Sequence, residues 1–475
     1  MKKHYHMIGI NGIGLSGVAK ILLELGHKVS GSDLKTSCLT DSLREMGATI
    51  YDYHHADNVK GADYIVVSSA IPDNNPEIME AEKRNIPIFH RSQMLGFIME
   101  GRTGIAISGT HGKTTTSSLT AHMLEGVGLS PTIAIGGELN IINSNARLGS
   151  SNYMVVEADE SDASFLYLSP RWTVVTSIDV DVNLNVAPYS HLNFDYEKTL
   201  EKVRDAFYSF IDRLPGDGKA ILCLDDDKIR AMLPDINKNY VTYGFALDAN
   251  LRAEQVTLEK FGSTSRVYLD GEYLGILRLQ VPGRHNVQNA LAAVAIGLEI
   301  GLGFDEIALN LYNFNGVKRR FERKGEINDI LVVDDYAHNP GKVRALLHGA
   351  RTGGRERVIV VFQPHRYTRT KFLLDDFAAS FSDADVLVLT EIYGAGECPI
   401  VGIKGEALAK AIESNEKRPR EVHFLPESDQ VIDFLELYTR PGDIVITCGA
   451  GDIYKVGEEL VARLPQRFEE QLAAV

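Results

Sequence analysis

Cysteine is scarce in this chain, and the four that occur, Cys38, Cys223, Cys398 and Cys448, stand far apart with no CxxC pair among them. That spacing argues against a metal knuckle or a redox dithiol and suits reduced thiols in a cytoplasmic protein. Long apolar runs are missing as well: nowhere do about 18 apolar residues follow one another, so no membrane-spanning helix is expected. The N-terminal MKKHYHMIGINGIG carries two lysines but passes straight into a strand and a glycine turn, without the apolar stretch and small-residue cleavage site of a secretory signal. Basic residues are outnumbered, 49 lysines and arginines against 64 aspartates and glutamates, and the net charge of -15 repels phosphate backbones. Neither nucleic acid nor a membrane is an expected partner. What remains is an ordinary globular composition, 44% hydrophobic and 24% charged, over 475 residues. Such a chain buries sizeable cores, and its length exceeds what one core serves, which predicts two to four domains, with three as the working number.

The first part of the chain alternates β-rich runs with helical ones: HMIGI, SGVAKILLELG, KVSGSD, a helix near residues 39–46, and YIVVSSA. Such alternation predicts a parallel sheet with crossover helices. A second cycle opens at Gly104 with GIAIS and continues through SGTHGKTTTSSLTAHMLEGVG, YMVVEAD and WTVVTSI. A third follows Val317, where DILVVDDY, RVIVVFQ, DVLVLTEIY and DIVITCGAG read as buried parallel strands. The fold class is α/β, with boundaries near residues 102 and 317 that give domains 1–102, 103–316 and 317–475. The C-terminal LVARLPQRFEEQLAAV reads as an amphipathic helix that packs.

Ser108-Gly109-Thr110-His111-Gly112-Lys113-Thr114-Thr115-Thr116 lies between a strand and a helical run. Glycines there let backbone amides close round a phosphate, the helix N-terminus adds positive potential, Lys113 can reach β- and γ-phosphates, and Thr114 can ligate Mg²⁺. It departs from a Walker A loop at Ile107, which takes the place of the first glycine. Nearer the N-terminus, Gly9, Gly12 and Gly14 form GxxGxG after a strand, with Asp33 at the end of the next strand. Taken alone, that spacing favours a dinucleotide site with a ribose contact at Asp33, or a turn without a ligand.

The variant GTHGKTTT resembles the ATP loop of the Mur ligase family, and its central histidine resembles that of the L-alanine-adding branch. The resemblance extends along nearly the whole chain through GINGIGLSGVAKILLELGHKVSGSD, VVSSAIPDNNPEI, VVEADESDASFL, VPGRHNVQNALAA, FNGVKRRFE, VVDDYAHNP, FQPHRYTRT and GAGDIYKV. It implies an N-terminal Rossmann-like domain for a UDP-sugar, a central P-loop-type ATPase domain and a C-terminal Rossmann-like domain for an amino acid. It also implies the reaction: ATP and Mg²⁺ activate the carboxylate of UDP-N-acetylmuramate as an acyl phosphate, and L-alanine displaces phosphate. A related branch that returns preformed murein peptides to the same sugar nucleotide is the alternative enzyme, and a nucleotide-binding regulator without turnover is the alternative of another class. A monomer–dimer equilibrium is the expected assembly.

Carried over by motif, the resemblance places Gly109, Thr110, His111, Gly112, Lys113, Thr114 and Thr115 on the ATP phosphates. It redirects the glycine turn to the diphosphate of the sugar nucleotide, with Gly12, Ile13 and Gly14 in contact, Asp33 nearby, and Ser69 as a lesser contact. Glu157, in the acidic run 157–162, becomes a Mg²⁺ ligand beside Thr114. The family's histidine ligand falls, by ungapped counting, on Val182, which cannot bind magnesium, so an insertion would move that role to His191 in SHLNFDYEKT. Ser177 stands where asparagine is usual. His285 and Asn289, four apart on one helix face, are implied at the adenine, and Arg320 of the Arg319-Arg320 pair at the γ-phosphate. Asp335 and His338 are implied to orient the amine and the carboxylate, with Asn339 in place of a second histidine. Arg366 and Arg369 are implied to read the amino acid's α-carboxylate, a role that suits the guanidinium fork.

Overall fold

In the computed structural model, residues 2–68, 71–160, 163–179, 196–259, 262–352 and 355–473 are described, and they build three sheets in succession along the chain. The first is five-stranded and parallel, in the order Thr49–Tyr51, Lys28–Ser32, His4–Ile8, Tyr64–Val67, Ile88–His90. Strand order reverses beside His4–Ile8, which leaves a crevice at that strand's C-terminal end, where ligands of open α/β sheets bind. The glycine turn fills this position: Gly9 adopts φ +85, a conformation side chains resist, and the chain then enters the helix Ile13–Glu24.

The central sheet has ten strands. Its middle runs Lys219–Cys223, Trp172–Val175, Thr103–Ser108, Tyr153–Glu157 and Thr132–Leu139, all parallel. Thr103–Ser108 is therefore flanked by two strands that follow it in sequence, and the phosphate loop emerges there between the ends of its neighbours. Beyond Tyr240–Gly244 the sheet continues as an antiparallel meander, Leu251–Glu259, Gly262–Leu269 and Glu272–Leu279. At the other edge Ser144–Arg147 pairs back on Thr132–Leu139. This hairpin reaches the first domain, where Asn145 Nδ2 donates to the Ile13 carbonyl at 2.5 Å and Lys20 Nζ to Ser144 Oγ at 2.9 Å. One apolar core accordingly runs through both domains, from Met7 and Leu15 to Ile105 and Val155.

The third sheet orders Glu322–Ile327, Ile330–Asp335, Asp443–Cys448, Arg357–Phe362, Val386–Leu389 and Glu421–Phe424. Its strands alternate between two cores: Leu331, Val333, Val358 and Val360 bury on one face, and Ile330, Val332, Ile359 and Val361 on the other. Covered on both faces, such strands need unbroken apolar sequence, which is what DILVVDDY and RVIVVFQ supply. The C-terminal segment forms the helix Tyr454–Ala473, with Val456, Leu460 and Leu464 buried against the second of these cores.

Candidate active site

The phosphate loop closes on itself and on the next strand. Gly109 has φ +128 and Gly112 φ +82, and an added Cβ at Gly112 would lie 2.6 Å from Asn289 Oδ1. Thr110 NH donates to the Ser177 carbonyl at 3.0 Å, Asp179 NH to Thr110 Oγ1 at 2.8 Å, and His111 NH to Ser177 Oγ at 2.9 Å. Serine at position 177 thus supplies a side-chain acceptor for the loop. Thr116 Oγ1 donates to Asn289 Oδ1 at 3.2 Å, which ties the loop's helix, Lys113–Gly126, to the helix Arg284–Ile300. His285 belongs to the same face as Asn289 and is accessible in the cleft.

Lys113 Nζ donates to the Gly109 carbonyl at 2.6 Å and to Glu160 Oε1 at 2.8 Å, and Glu160 Oε2 lies equally close without a hydrogen bond of its own. Burial works against the ammonium, but the carboxylates of Glu160 and Asp159 outweigh it and raise the lysine above its ordinary value. Burial pushes the Glu160 carboxyl up to about 7 despite that counter-ion. Next to them, Thr114 Oγ1 donates to Glu157 Oε1 at 2.9 Å, Gly136 NH to Glu157 Oε2 at 2.7 Å, and Arg320 Nη2 to Thr114 Oγ1 at 3.4 Å. A hydroxyl and a carboxylate side by side are the hard oxygen donors magnesium prefers. Among the described residues no three His, Cys, Asp or Glu side chains form a cage. A site of this kind fits an ion that keeps its waters and takes one or two protein oxygens together with phosphate oxygens.

The two arginines of the 317–321 turn face different ways. Arg319 is anchored in the C-terminal domain, donating to Asp334 Oδ2 at 3.1 Å and to the Gly449 carbonyl at 2.7 Å, whereas Arg320 turns to Thr114. Asp335 accepts the amides of Phe321 and Ala337 at 2.8 and 2.7 Å, and burial pushes its carboxyl up against the pull of Arg320. A cleft of about 330 Å³ between the central and C-terminal domains is bounded by His111, Thr115, His285, Asn289, Arg320 and Asp335 among others.

On the C-terminal domain a second group forms around His338. Its Nδ1 meets the Tyr336 carbonyl at 2.7 Å, which makes that nitrogen the donor and leaves Nε2 as acceptor. Burial, with the charges of Lys342 and Arg369, holds this imidazole well below its ordinary value. His365 sits 5.9 Å from it, stacked on Tyr393, hydrogen-bonded to Arg369 at 3.1 Å and lowered to about 4 by burial and the two arginines. Arg366 adopts φ +74, a strained conformation for a side-chain residue that suits a functional position, and lies 3.7 Å from Glu397. Asn339 serves the backbone, since its Oδ1 accepts Lys342 NH at 2.9 Å at the start of the helix Pro340–Thr352.

A cavity of about 310 Å³ joins the glycine turn, at Gly12, Ile13 and Gly14, to Glu157 and Asp159 of the central domain. Asp33 lies beneath the turn and accepts the amides of Asn11 at 3.0 Å and Lys35 at 3.2 Å. Ser69, Val182 and His191 lie outside the described residues. Sequence reasoning missed Asn145 and Arg91 at this cavity, gave Glu160 and His365 no role within the motifs that contain them, and missed Glu397.

Three family models match in chain order: Mur ligase family, catalytic domain, over residues 4–103; Mur ligase middle domain over 107–297; and Mur ligase, glutamate ligase domain over 319–451. The chain is 47% identical over 459 residues to a UDP-N-acetylmuramate--L-alanine ligase of Geotalea daltonii, covering 97% of each. It is 46% identical over 468 residues to the enzyme of the same name from Pelotomaculum thermopropionicum, covering 98% of each. Among solved structures, the UDP-N-acetylmuramate-alanine ligase of Thermotoga maritima superposes with a TM-score of 0.81 at 29% identity over 98% of this chain and 99% of that one. A murein peptide ligase of Psychrobacter arcticus shares the fold, with a TM-score of 0.70 at 24% identity over 97% of this chain and 98% of that one.

Proposed function

The chain belongs to the Mur ligase family, and we infer that it joins L-alanine to the carboxylate of UDP-N-acetylmuramate at the expense of ATP, in the building of peptidoglycan. The observation that carries this reading is the convergence of Thr114, Glu157 and Arg320 on one point beside Lys113, in a chain that matches L-alanine ligases end to end. The 47% identity to relatives named for L-alanine favours that amine over a peptide.

ATP occupies the cleft between the central and C-terminal domains, its adenine toward His285 and Asn289 and its phosphates against Gly109, Thr110, His111, Gly112 and Thr115; the amides of Thr110 and His111, which donate to Ser177, must turn from it to serve there. Lys113 and Arg320 neutralise the γ-phosphoryl group as it passes to the sugar's carboxylate, a transfer that depends on positioning and charge neutralisation. Thr114 and Glu157 hold Mg²⁺, which supplies Lewis-acid polarisation of the phosphate oxygens. Lys113, paired with Glu160, must leave that carboxylate to reach the nucleotide, and Thr114 and Arg320, now bonded to each other, would both serve the metal and phosphates. The sugar nucleotide occupies the other cavity, diphosphate at Gly12, Ile13 and Gly14, so that its carboxylate extends toward Glu157.

Arg366 and Arg369 bind the α-carboxylate of L-alanine. Burial and the neighbouring cations disfavour the protonated form of His338, and its Nδ1 is engaged by the Tyr336 carbonyl, so Nε2 can orient the attacking amine as a hydrogen-bond acceptor, with Asp335 orienting the acyl group. We further propose domain limits at residues 102/103 and 316/317. Among the described residues no helix is long and apolar enough to cross a membrane. The site of action we propose is the cytoplasm. The test is product formation by the purified protein from ATP, Mg²⁺ and UDP-N-acetylmuramate, with L-alanine or a murein tripeptide as acceptor. UDP-N-acetylmuramoyl-L-alanine is the expected product, and preferential use of the tripeptide would overturn the assignment.

A further inference from the structure

The turn that leads from the central into the C-terminal domain fastens successive side chains to opposite sides. Lys318 belongs to the central domain: its Nζ donates to Glu138 Oε1 at 2.6 Å, and the neighbouring Val317 bridges to Leu139. Arg319 belongs to the C-terminal domain. Its Nε donates to Asp334 Oδ2 at 3.1 Å and its Nη2 to the Gly449 carbonyl at 2.7 Å, and its guanidinium lies 5.0 Å from the ring centre of Tyr336 and 4.8 Å from that of Tyr454. Asp334 is fully buried and accepts Thr447 Oγ1 at 2.7 Å on its other oxygen, so this anchor is itself fixed in the sheet. Arg320 turns back to Thr114, in the phosphate site of the central domain. The backbone holds the alternation in place: Arg319 has φ +60 and Phe321 φ +46, values that residues with a side chain keep only where their surroundings over-determine them. Those surroundings come from the C-terminal domain, since Tyr336 NH donates to the Arg319 carbonyl and Phe321 NH to Asp335 Oδ2, each at 2.8 Å.

We propose that Arg319 is a positioning residue that ties the aim of Arg320 to the placement of the C-terminal domain. This rests on the reading of Arg320 as a ligand of the γ-phosphoryl group. Consecutive Cα atoms stand about 3.8 Å apart whatever the fold does. A rigid displacement of the C-terminal domain therefore carries Arg319 with it, and either pulls Arg320 off Thr114 or breaks the bonds of Arg319. The same domain carries His338, Arg366 and Arg369, the groups the incoming amine needs. Arg320 thus reaches the phosphoryl group only while those groups are in place, and the acyl phosphate forms where an amine rather than water intercepts it. A lysine at position 319 could reach Asp334 or the Gly449 carbonyl but not both, because the guanidinium fork presents donors in two directions and a single ammonium does not.

The experiment is a double-mutant cycle on the whole protein: Arg319→Ala, Arg320→Ala and both together, with Arg319→Lys beside them. Because Arg319→Ala strands a buried carboxylate, it is also made in combination with Asp334→Asn. Two quantities are measured: kcat with ATP, UDP-N-acetylmuramate and L-alanine, and the preference for AMP-PNP over ADP by isothermal titration. Arg320→Ala should lower kcat about 10²–10³-fold and Arg319→Ala about tenfold or more, with Arg319→Lys between that variant and the wild type. The double variant should lie within about threefold of Arg320→Ala alone, since a residue that acts through another adds nothing once the other is gone. The preference for AMP-PNP should fall in the same pattern. Losses that multiply in the double variant would overturn the inference, as would normal kcat and AMP-PNP preference in Arg319→Ala with and without Asp334→Asn. An unchanged AMP-PNP preference in Arg320→Ala would overturn it too, because Arg319 would have no phosphate ligand to aim. Titration with AMP-PNP needs no turnover, so a protein that shows this pattern of binding but forms no product would count against the ligation reaction and leave the coupling of the two arginines standing.

Discussion

Two buried glutamates, one in the N-terminal domain and one beside the phosphate loop, hold opposite protonation preferences. Glu77 is wholly buried and takes Ser32 Oγ at 2.5 Å, Asn58 Nδ2 at 2.7 Å and His54 Nδ1 at 2.9 Å, with His6 Nε2 at 3.4 Å. Burial alone would raise its pKa, but the contact with His6 and the hydrogen bonds of Ser32 and Asn58 outweigh it and bring the carboxyl down to about 2. Glu160 is nearly as buried and has Lys113 as its counter-ion, and burial pushes it up to about 7. A carboxylate saturated with donors is a fixed part of a fold. One satisfied by a single lysine can be exchanged for another anion, and the lysine it holds is the one a triphosphate needs.

Removing each partner in turn tests that contrast. Glu77→Ala should cost about 3–5 kcal/mol, because it strands several buried donors at once; chemical denaturation measures it, and an unchanged midpoint would contradict the structural role. Lys113→Ala should lower ATP-dependent phosphate release by about 10²–10³-fold, as for loss of one preorganised charge at a developing anion, with the melting temperature little changed. Glu160→Gln should tighten ATP binding about tenfold, since the triphosphate no longer competes with a carboxylate for Lys113; weaker binding would show that Glu160 aids the nucleotide. Asn339→Ala should cost about 1 kcal/mol through the lost helix cap and leave turnover almost unchanged.

Acid titration separates the two glutamates by sign. Glu77 lies below its ordinary 4.5 in the folded chain, so its stabilisation, about 3 kcal/mol for a shift of this size, is complete above pH 4.5 and is lost as pH falls toward about 2. Glu160 lies above 4.5, so the folded chain holds its proton more tightly and stability declines as pH rises from 4.5 to about 7. Replacement of Glu77 by Gln should remove the acid-side loss, and Glu160→Gln the decline toward neutrality. Each is read from denaturation midpoints across that range.

Much of this was legible in the sequence because both sites hang on short-range rules. A glycine turn after an apolar strand and Gly-Lys-Thr before a helix specify the local backbone almost by themselves, and the unbroken runs around residues 330–335 and 357–362 announce strands covered on two faces. The meander Leu251–Glu259 to Glu272–Leu279 was not legible, since its strands, with Arg252, Glu254, Arg266 and Arg278, lie half in solvent and lack an apolar run. The hairpin that carries Asn145 hides in glycine and polar residues for the same reason. Arg91 and Glu397 gave no signal because their meaning lies in what they face across a cleft, which neighbouring residues in the chain do not encode. Asn339 replaced an expected histidine, and only its bond to Lys342 NH explains it.

The central claim is that a phosphoryl group passes from ATP to the sugar's carboxylate. UDP-N-acetylmuramate labelled with ¹⁸O in that carboxylate, incubated with the protein, ATP, Mg²⁺ and L-alanine, tests it directly. Released phosphate should carry one ¹⁸O per turnover; phosphate free of label, or none released at all, would contradict the account.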